Sequence, residues 1–417
     1  MLAAGDVEGM RVVLDWVTAF APLLRARTAL LQPGGAGLFA TETVTVSGLF
    51  QLTEYGCDWA TNRPPGYPRW LEGPGSEGGW VRWDIGGNGF AEAGLMALDY
   101  FWATLDTNRS AAYIPFATSY IDYYAAQYTN RSADGRLVIW PAQVLETVWC
   151  EWEARFSSAC SQNDLPNVAA LTSLVRGALA LPADSGLLSP AQRAKYAALA
   201  AILPPLPREA DGATYAVAEV ISTDGGHNSE GPQLYGTHPF RLETVGAAVA
   251  APAAVNLTTA RATWRKQTWF AGNSGWSYGI IDAALLGFSA QAYAMAVDRA
   301  RQPPPPGYRF PAFAQHYQDY EPSADHYAVM STAVQSMLLQ SGEDGAAGTI
   351  VLLPSWPCSV DVSFKLWGPL NTSVEVVWAG GALVSLDVVP AERRSAVVFA
   401  PCNSTASAER APIVHAF

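Results

Sequence analysis

Glu146 stands in the stretch of sequence whose composition most favours acid catalysis. An apolar run ends at Pro141, and Glu146 follows between Leu145 and Trp149. Apolar surroundings disfavour the ionised form of a carboxyl group and raise its pKa, as a general acid requires. Glycosidic bonds are broken by such an acid together with a second group, which is a base for water or a nucleophile. Glu146 is therefore a candidate acid, although a surface Glu beside a helix start explains the pattern equally well.

The segment from Asp84 to Asn88 offers groups that can orient a water molecule. Two glycines separate Asp84 from Asn88, Trp83 comes directly before them, and Glu92 follows one helical turn later. Paired glycines let the backbone approach a ligand closely. Asp84 and Asn88 are therefore candidates for the second catalytic group. Helix capping alone explains Asn88 about as well, and explains Asp84 in part.

Three further clusters place polar groups next to predicted helix ends. The first contains Tyr235 and His238, the second contains Asp282 in an otherwise apolar helix, and the third ends at His326. A histidine in such a place is more often structural, but helix ends gathered on one rim would bring the clusters together. Asp282 is a further catalytic candidate. We expect the substrate to be bound by Trp83, Trp149, His227, Asn228, Glu230, Tyr235, Trp276, Arg309, Asp319, Asp325 and His326.

Several common catalytic motifs are absent from the sequence. It has no P-loop and no HExxH pair, and no CxxC or Cys/His spacing indicates zinc. P-loop nucleotide and zinc-peptidase chemistries therefore lack support. We expect neither a cofactor nor a metal ion.

Helices are the main elements that must position these groups. The first is predicted to begin near Val7, and Ser189 followed by Pro190 predicts a capped helix start. Apolar residues that recur every three or four positions predict hairpins of helices. The predicted helices cover Val7–Arg27, Gly89–Leu105, Ala112–Tyr128, Asn167–Leu179, Pro190–Ile202, Gly275–Arg301 and Asp325–Ser341.

The pattern changes after Gly348, where β-branched residues alternate with polar ones between turn signals. Alternation of this kind predicts strands of a small antiparallel sheet. We therefore predict two domains, a helical domain over residues 1–345 that carries the chemistry and a β-sheet domain over residues 346–417.

The overall composition narrows the range of partners. The chain has 417 residues, of which 50% are apolar and 15% charged, so it is not a disordered chain. Its net charge of −12 gives no electrostatic footprint for nucleic acid. No apolar run approaches the roughly 18 residues of a membrane span. The 15 Trp and 17 Tyr residues are mostly core residues, but those in loops offer flat faces on which sugar rings can stack.

Cysteines and glycosylation sequons indicate an extracellular or secretory location. Five sequons occur, at Asn108, Asn130, Asn256, Asn371 and Asn403. If the protein is secreted, Cys150–Cys160 and Cys358–Cys402 are plausible disulfides, and buried free thiols are the alternative. Because the chain has five cysteines, at least one is unpaired within it. The first nine residues lack the pattern of a signal peptide, so we expect the true start to lie upstream.

With these segments identified, the chain resembles the six-hairpin glycosidases over nearly its whole length. It is most similar to glycoside hydrolase family 95, the inverting α-L-fucosidases and their relatives. The segments that carry the resemblance are NSEGPQLYGTHPFR, GWSYGIIDAALLG, RFPAF and TIVLLPSWPCSVDVSFKLWG. The resemblance implies an (α/α)6 helical toroid, with or without its first helices, followed by a small β domain. Family members usually also carry an N-terminal β-sandwich, which this sequence lacks.

The resemblance also implies roles for individual residues. Glu146 matches the family's acid by place, although the Ser-Pro-Glu-Asn wording around that acid is not kept. Asp84 and Asn88 match the segment that holds the attacking water, where Gly86 replaces the first Asn of the family pattern, and Asp282 would assist. The implied function is inverting, exo-acting hydrolysis of glycosidic bonds in an oligo- or polysaccharide.

Two other functions fit the same sequence. One is a glycan-binding or scaffold protein that keeps the toroid without catalysis. The other is a glycan lyase, which would use a Tyr/His pair such as Tyr235 with His238. The sequence indicates neither the sugar nor the oligomeric state.

Overall fold

Eleven α-helices and eight short strands make up the regular structure of the described residues. The structure is a computed structural model that describes residues 1–31, 35–40, 91–145, 147–148, 160–221, 231–266, 273, 277–301, 324–342 and 348–400. The predicted combination of a mainly helical chain with a small amount of sheet is thereby confirmed. The closure of the helices into a toroid stays a prediction.

The helices fall into two groups along the chain. The first six are α1 (Val7–Ala19), α2 (Ala21–Leu31), α3 (Ala91–Thr104), α4 (Thr107–Gln127), α5 (Leu165–Ala180) and α6 (Pro190–Ala200). The other five are α7 (Val245–Ala250), α8 (Thr258–Lys266), α9 (Gly279–Leu286), α10 (Ser289–Arg301) and α11 (Ala324–Leu338).

The strands are short and lie mostly near the C-terminus. They are β1 (Gln162–Asp164), β2 (Ala218–Val220), β3 (Leu339–Ser341), β4 (Ile350–Leu352), β5 (Val362–Gly368), β6 (Thr372–Ala379), β7 (Ala382–Val389) and β8 (Val397–Phe399). Strands β1 and β2 pair with each other, whereas β3–β4–β8 and β5–β6–β7 form two three-stranded sheets.

Contacts divide the chain into two compact units. Unit 1 contains Met1 and Asp6–Leu242, and unit 2 contains Leu2–Gly5 and Glu243–Phe417. Residues 2–4 belong to unit 2 because they pack on β5. Helices α7 to α11 thus share a unit with the C-terminal strands. The domain boundary predicted near residue 345 falls outside the described residues, and it stays a prediction.

Side-chain caps fix several helix starts where the sequence places Asp, Ser or Thr. Asp6 accepts a hydrogen bond from the Gly9 amide at the start of α1. Ser189 and Gln192 form a reciprocal capping box at α6, with Pro190 in the first turn. The helix start predicted from Ser189 and Pro190 is therefore confirmed.

Two predicted helices are each broken into two. The predicted helix over residues 7–27 ends at Ala19, and α2 begins after Phe20. The predicted helix over residues 275–301 is wrong as a single element, because α9 ends at Gly287 with φ 85°. A left-handed glycine terminates a helix by satisfying its last carbonyl groups, so α10 starts afresh at Ser289.

The core of unit 1 lies between α3, α4 and α5, which pack against one another. Gly94 of α3 allows this close approach, since a Cβ there would lie 3.2 Å from the Ala117 Cα atom of α4. Helix α4 contributes a row of fully buried tyrosines to this core, namely Tyr113, Tyr120, Tyr123 and Tyr124.

The core of unit 2 centres on α9, which packs against α8, α10 and α11. Gln340 of β3 joins several of these elements from a buried position. Its Oε1 atom accepts from the Gly246 amide of α7 at 2.9 Å, and its Nε2 atom donates to the Ala284 carbonyl of α9 at 2.9 Å. Such a fully bonded buried amide fixes the relative position of the elements that it joins.

The C-terminal sheets differ in one respect from the prediction. Strands β5, β6 and β7 form the antiparallel meander expected from the alternating pattern, whereas β4 pairs with β8 in parallel. Their apolar faces share one core with Leu338, Leu353 and other buried residues. Among the helices described, none is both long enough and apolar enough to cross a membrane.

Candidate functional site

Few of the predicted site residues lie in the described part of the chain. Asp282 and Tyr235 are described in full. Asp325 and His326 lie in the first turn of α11, but their side chains are not among those described. The predicted residues outside the described ranges are Glu146, Asp84, Asn88, Trp83, Trp149, His227, Asn228, Glu230, Trp276, Arg309 and Asp319.

Asp282 is a buried carboxyl group in the first turn of α9. Its side chain is 5% exposed, and its Oδ1 atom has no hydrogen-bond partner within the residues that the structure describes. Burial raises its pKa well above the ordinary value. Burial therefore favours the neutral form of this carboxyl group, because an isolated buried carboxylate carries a large desolvation cost.

The start of α9 is held by contacts with α8. The Trp264 indole donates a hydrogen bond to the Gly279 carbonyl at 3.0 Å, and its ring stacks on Phe288 with the ring centroids 4.5 Å apart. The Asp282 amide in turn donates to the Tyr278 carbonyl at 3.0 Å. These contacts fix the backbone from which the Asp282 side chain projects.

The residues on both sides of Glu146 form a closed, buried turn in unit 1. The amide of each of Val144 and Val148 donates to the carbonyl of the other at 3.0 Å. Leu145 and Thr147 are fully buried, and Leu145 has φ 49°. A branched side chain in the left-handed region costs of order 1–2 kcal/mol, and such strain is often found at functional sites.

Asn163 anchors the segment that leads into this turn. Its Oδ1 atom accepts from the Ile139 amide at 2.8 Å, and its own amide donates to the Ile139 carbonyl at 2.9 Å. Its Nδ2 atom donates to Glu219 at 2.5 Å. Farther along, the Tyr128 hydroxyl donates to the Pro141 carbonyl at 3.1 Å. The approach to position 146 is therefore fixed by buried hydrogen bonds.

Glu92 combines partial exposure with a strongly raised pKa. It lies in the first turn of α3, with part of its side chain accessible to solvent. The surrounding protein desolvates the carboxyl and raises its pKa to about 7. A carboxyl group on a half-buried residue that is about half protonated at neutral pH has the properties of a general acid.

The loop from Gly231 to Leu242 lies against α3 and α5. Residues 232–234 pack against α5, and Arg241 forms an ion pair with Asp99 of α3 at 2.6 Å. Asp99 lies two helical turns after Glu92 and therefore on the same face of α3, about 10 Å farther along its axis. The loop and Glu92 thus share one side of this helix.

Two predicted residues of this loop have different environments. Tyr235 is buried, whereas His238 is partly exposed. Desolvation, and then the nearby charge of Arg241, lower the pKa of His238 to about 4. His238 is therefore a neutral imidazole at neutral pH.

Asp164 caps the N-terminus of α5 and is fully buried. It accepts from the Asn167 amide at 3.0 Å and from the Asn167 side chain at 2.7 Å, while the Tyr124 hydroxyl donates to Asn167 at 2.5 Å. Burial raises the pKa of Asp164 to about 7 against the lowering effect of these hydrogen bonds. Because no water reaches it, we interpret Asp164 as a structural cap.

The described residues therefore offer candidate groups in both units. Unit 1 contains Glu92, the loop with Tyr235 and His238, and the turn that flanks Glu146. Unit 2 contains Asp282. The sequence pattern indicated Asp282 as a candidate because it lies at the start of an apolar helix. It assigned no role to Glu92. The signal that could have identified Glu92 is an acidic residue in the first turn of a largely buried helix.

The described side chains contain no group of three or more His, Cys, Asp or Glu residues that could hold a metal ion. Comparison with known proteins adds no assignment to the site. No family model matches the chain, and no curated protein matches it.

Proposed function

We propose that the chain is an inverting, exo-acting glycoside hydrolase of the α-L-fucosidase-like type, built on a six-hairpin toroid. The observation that carries the proposal is Glu92, a half-buried residue at the start of a core helix whose carboxyl group has a pKa of about 7. Glycoside hydrolysis requires one carboxylic acid that is protonated at working pH. Glu92 meets this requirement through desolvation alone.

Glu146 remains the first acid to test under this proposal, on its resemblance to the family's acid. The turn around it supports this role, because its flanking residues are buried and Leu145 is held in a strained conformation. Glu92 is the alternative acid. Both residues belong to unit 1.

Asp84 and Asn88 are the proposed holders of the attacking water. Asp282 was predicted to assist them, but its raised pKa favours a neutral carboxyl that donates a hydrogen bond. A base must be ionised before it can accept a proton. Within the proposal, Asp282 therefore acts as a hydrogen-bond donor rather than as the base.

The test is a hydrolysis screen over aryl glycosides and plant or algal oligosaccharides with the wild type and single variants. Glu146→Gln or Glu92→Gln should lower kcat by about 100-fold or more if the residue is the acid. An aryl substrate with a good leaving group should lose much less, because its departure needs little protonation. Glu8→Gln is the matched control, because Glu8 lies in the first turn of α1 and is exposed.

The stereochemical part of the proposal has its own measurement. Proton NMR of the first sugar released should show the opposite anomer to that of the substrate, because water attacks directly in an inverting enzyme. Retention of the anomer would reject the inverting mechanism. Full activity in both Glu146→Gln and Glu92→Gln would reject both acid assignments.

A glycan lyase is the second candidate, and His238 is the observation that favours it. A partly exposed imidazole that stays neutral at neutral pH, three residues after Tyr235, is able to accept a proton. Lyase action on an acidic polysaccharide would release unsaturated products that absorb ultraviolet light, and hydrolysis would not. Sugar binding without any turnover would instead indicate the glycan-binding scaffold.

We also propose an extracellular or secretory location and a carbohydrate partner. Two cysteines support the location, since Cys160 and Cys358 are both disulfide-bonded. Disulfides persist mainly in oxidising compartments. The other three cysteines lie outside the described residues, so the pairings Cys150–Cys160 and Cys358–Cys402 stay predictions.

A further inference from the structure

We propose that Asn256 carries an N-linked glycan and that this glycan covers the concave surface beside it. The proposal rests on the secretory location proposed above and not on the hydrolase activity. It combines an acceptor sequence, the geometry of its asparagine and the shape of the surface that the asparagine lines.

The sequons of the described residues all lie at the surface. Asn108, Asn130, Asn256 and Asn371 are each exposed, at a helix start or in a connecting segment. An oligosaccharide is bulky and can be carried only where solvent surrounds the asparagine. All four positions meet that requirement.

The Asn256 side chain leaves its reactive atom free. Its Oδ1 atom accepts a hydrogen bond from the Thr258 amide at 2.9 Å, which orients the side chain at the start of α8. The Nδ2 atom, to which a sugar attaches, makes no hydrogen bond within the described part of the chain. A glycan on Nδ2 therefore leaves the cap at α8 intact, because the cap uses the other atom of the amide.

Asn256 is itself part of the wall of a concave surface in unit 2. This concavity has a volume of about 590 Å³, and its wall runs from α7 through the connecting segment to the first turn of α8. The wall includes the side chains of Val245, Val249 and Leu257, and its exposed surface is mixed, slightly more polar than apolar. Val249 is 37% exposed. The volume falls in the range of small-ligand sites, of roughly 300–1,000 Å³.

A glycan attached at the wall is the occupant that these observations favour. Sugar rings present C–H faces that pack on apolar side chains, and their hydroxyl groups remain in water. Covalent attachment beside the surface also gives the first sugar a high effective concentration there, of the order of millimolar or more.

The attachment is a transfer from a lipid diphosphate-linked oligosaccharide of the secretory pathway. The Asn256 Nδ2 atom forms a bond to the anomeric carbon of the first sugar, and the bond from that carbon to the diphosphate oxygen breaks. Nδ2 loses one proton, and the lipid diphosphate leaves with the electron pair of the broken bond. No oxidation or reduction is involved.

The test uses the full chain secreted from a eukaryotic host, with site occupancy read by peptide mass spectrometry. A glycosidase that converts the carrier Asn to Asp should add one mass unit to the Asn256 peptide after glycan removal. Thr258→Ala should abolish this modification, and Thr258→Ser should retain it. Both variants keep Asn256 and the backbone amide that it caps.

Coverage of the surface is tested with a dye that fluoresces in apolar surroundings. Thr258→Ala should raise dye fluorescence severalfold over wild type. Ser373→Ala, which removes the sequon at Asn371 on the β5–β6 connection, should leave the fluorescence unchanged. An unmodified Asn256 in a secreted protein whose other sequons are occupied would overturn the proposal.

Two further outcomes would also overturn it. Equal dye fluorescence in wild type and Thr258→Ala would show that the glycan does not cover the surface. A dimer of the unmodified chain in size-exclusion chromatography, disrupted by Val249→Lys, would show that a second copy is the occupant.

Discussion

Glu92, Asp164 and Asp282 share one physical property, because the protein around each carboxyl group withholds the water that would stabilise its charge. They differ in access. Glu92 is a half-buried residue, whereas Asp164 is fully buried and Asp282 is 5% exposed. A raised pKa alone therefore does not distinguish a functional carboxyl group from a structural one. Solvent exposure and hydrogen bonding are needed to tell them apart.

The first prediction concerns the stability of Glu92→Gln. The folded-state pKa of Glu92 is about 7, above its ordinary value of 4.5, so ionisation destabilises the folded state between these values. Wild-type stability should therefore fall, on account of Glu92, as pH rises from about 4.5 to about 7. Glu92→Gln should be more stable than wild type by about 1–3 kcal/mol at pH 8, after allowance for partial exposure, and equal to it at pH 4.

Urea unfolding of both proteins across this pH range measures the difference. Glu8→Gln, at an exposed first-turn position, should show no such pH dependence. A gain in stability together with a loss of hydrolysis would identify Glu92 as a functional residue, since strained or desolvated active sites reduce stability. Lower stability of Glu92→Gln at pH 8 would contradict the prediction.

The second prediction concerns His238 and has the opposite sign. Its pKa is lowered from 6.5 to about 4, so the unfolded chain binds a proton in this range while the folded chain does not. The stability that depends on neutral His238 is present above pH 6.5 and is lost as pH falls towards 4. His238→Gln should remove this loss. The comparison of the two unfolding free energies at pH 7 and pH 4.5 tests it, and parallel pH profiles would refute it.

For single residues, the sequence predicted the secondary-structure element in which a residue lies better than it predicted the burial and charges around that residue. Asp282 was selected because a carboxyl group opens an apolar helix, and it is indeed in the first turn of α9. The raised pKa of Glu92 depends on packing from α3 and its neighbours, which no local pattern encodes. The neutrality of His238 likewise depends on Arg241 and on burial.

Secondary-structure elements were predictable where their ends carry strong local signals. The capping box of Ser189 and Gln192 fixed the start of α6, and the alternating pattern fixed strands β5 to β7. The break after α9 was missed because a glycine within an apolar helical pattern is tolerated as often as it terminates a helix. The parallel pairing of β4 with β8 was missed because it joins distant segments.

Arg193 gives a prediction about the end of α5. Its guanidinium donates to the carbonyl groups of Leu179, Leu181 and Pro182, which lie at and beyond the C-terminus of that helix. Arg193→Ala should lower the free energy of unfolding by about 1–3 kcal/mol, because three part-buried carbonyl acceptors lose a charged donor. Thermal unfolding measures this, with Arg131→Ala as the control. Arg131 is exposed, and among the described residues its side chain bonds to the carbonyl groups of Thr129 and Asn130.

Gly246 gives a prediction about the packing of α7 on β3. A Cβ atom at this position would lie 2.6 Å from the Ser341 carbonyl oxygen, a backbone atom that cannot rotate away. Gly246→Ala should therefore destabilise the protein by about 1–3 kcal/mol, although alanine favours helices. Gly231→Ala is the matched control, since a Cβ atom there would meet no described atom within 4 Å. Equal unfolding midpoints for the two variants would count against this packing.

For the molecule as a whole, the disulfide bonds connect the cysteines of the sequence with the proposed secretory location. Cys160 and Cys358 are each bonded, one in unit 1 and one in unit 2. Cys160→Ser and Cys358→Ser should each lower the free energy of unfolding by about 2–4 kcal/mol, and a reducing agent should have the same effect on wild type. Chemical unfolding with and without reductant checks this. Insensitivity to reductant would contradict both the bonds and the secretory location.

The position of β8 in the chain determines the order in which the strands can pair while the protein is being synthesised. Strand β4 pairs with β8 through Ile350 and Val397, whereas the meander β5–β6–β7 pairs only strands adjacent in the chain. On the ribosome the meander can close as soon as it emerges, but the edge of β4 must wait until β8 has been synthesised. During that interval the apolar edge of Ile350–Leu352 is open to other chains, which is when a nascent chain is most prone to aggregate. A chaperone bound to the Ile350–Leu352 segment would protect this edge until β8 can pair with it.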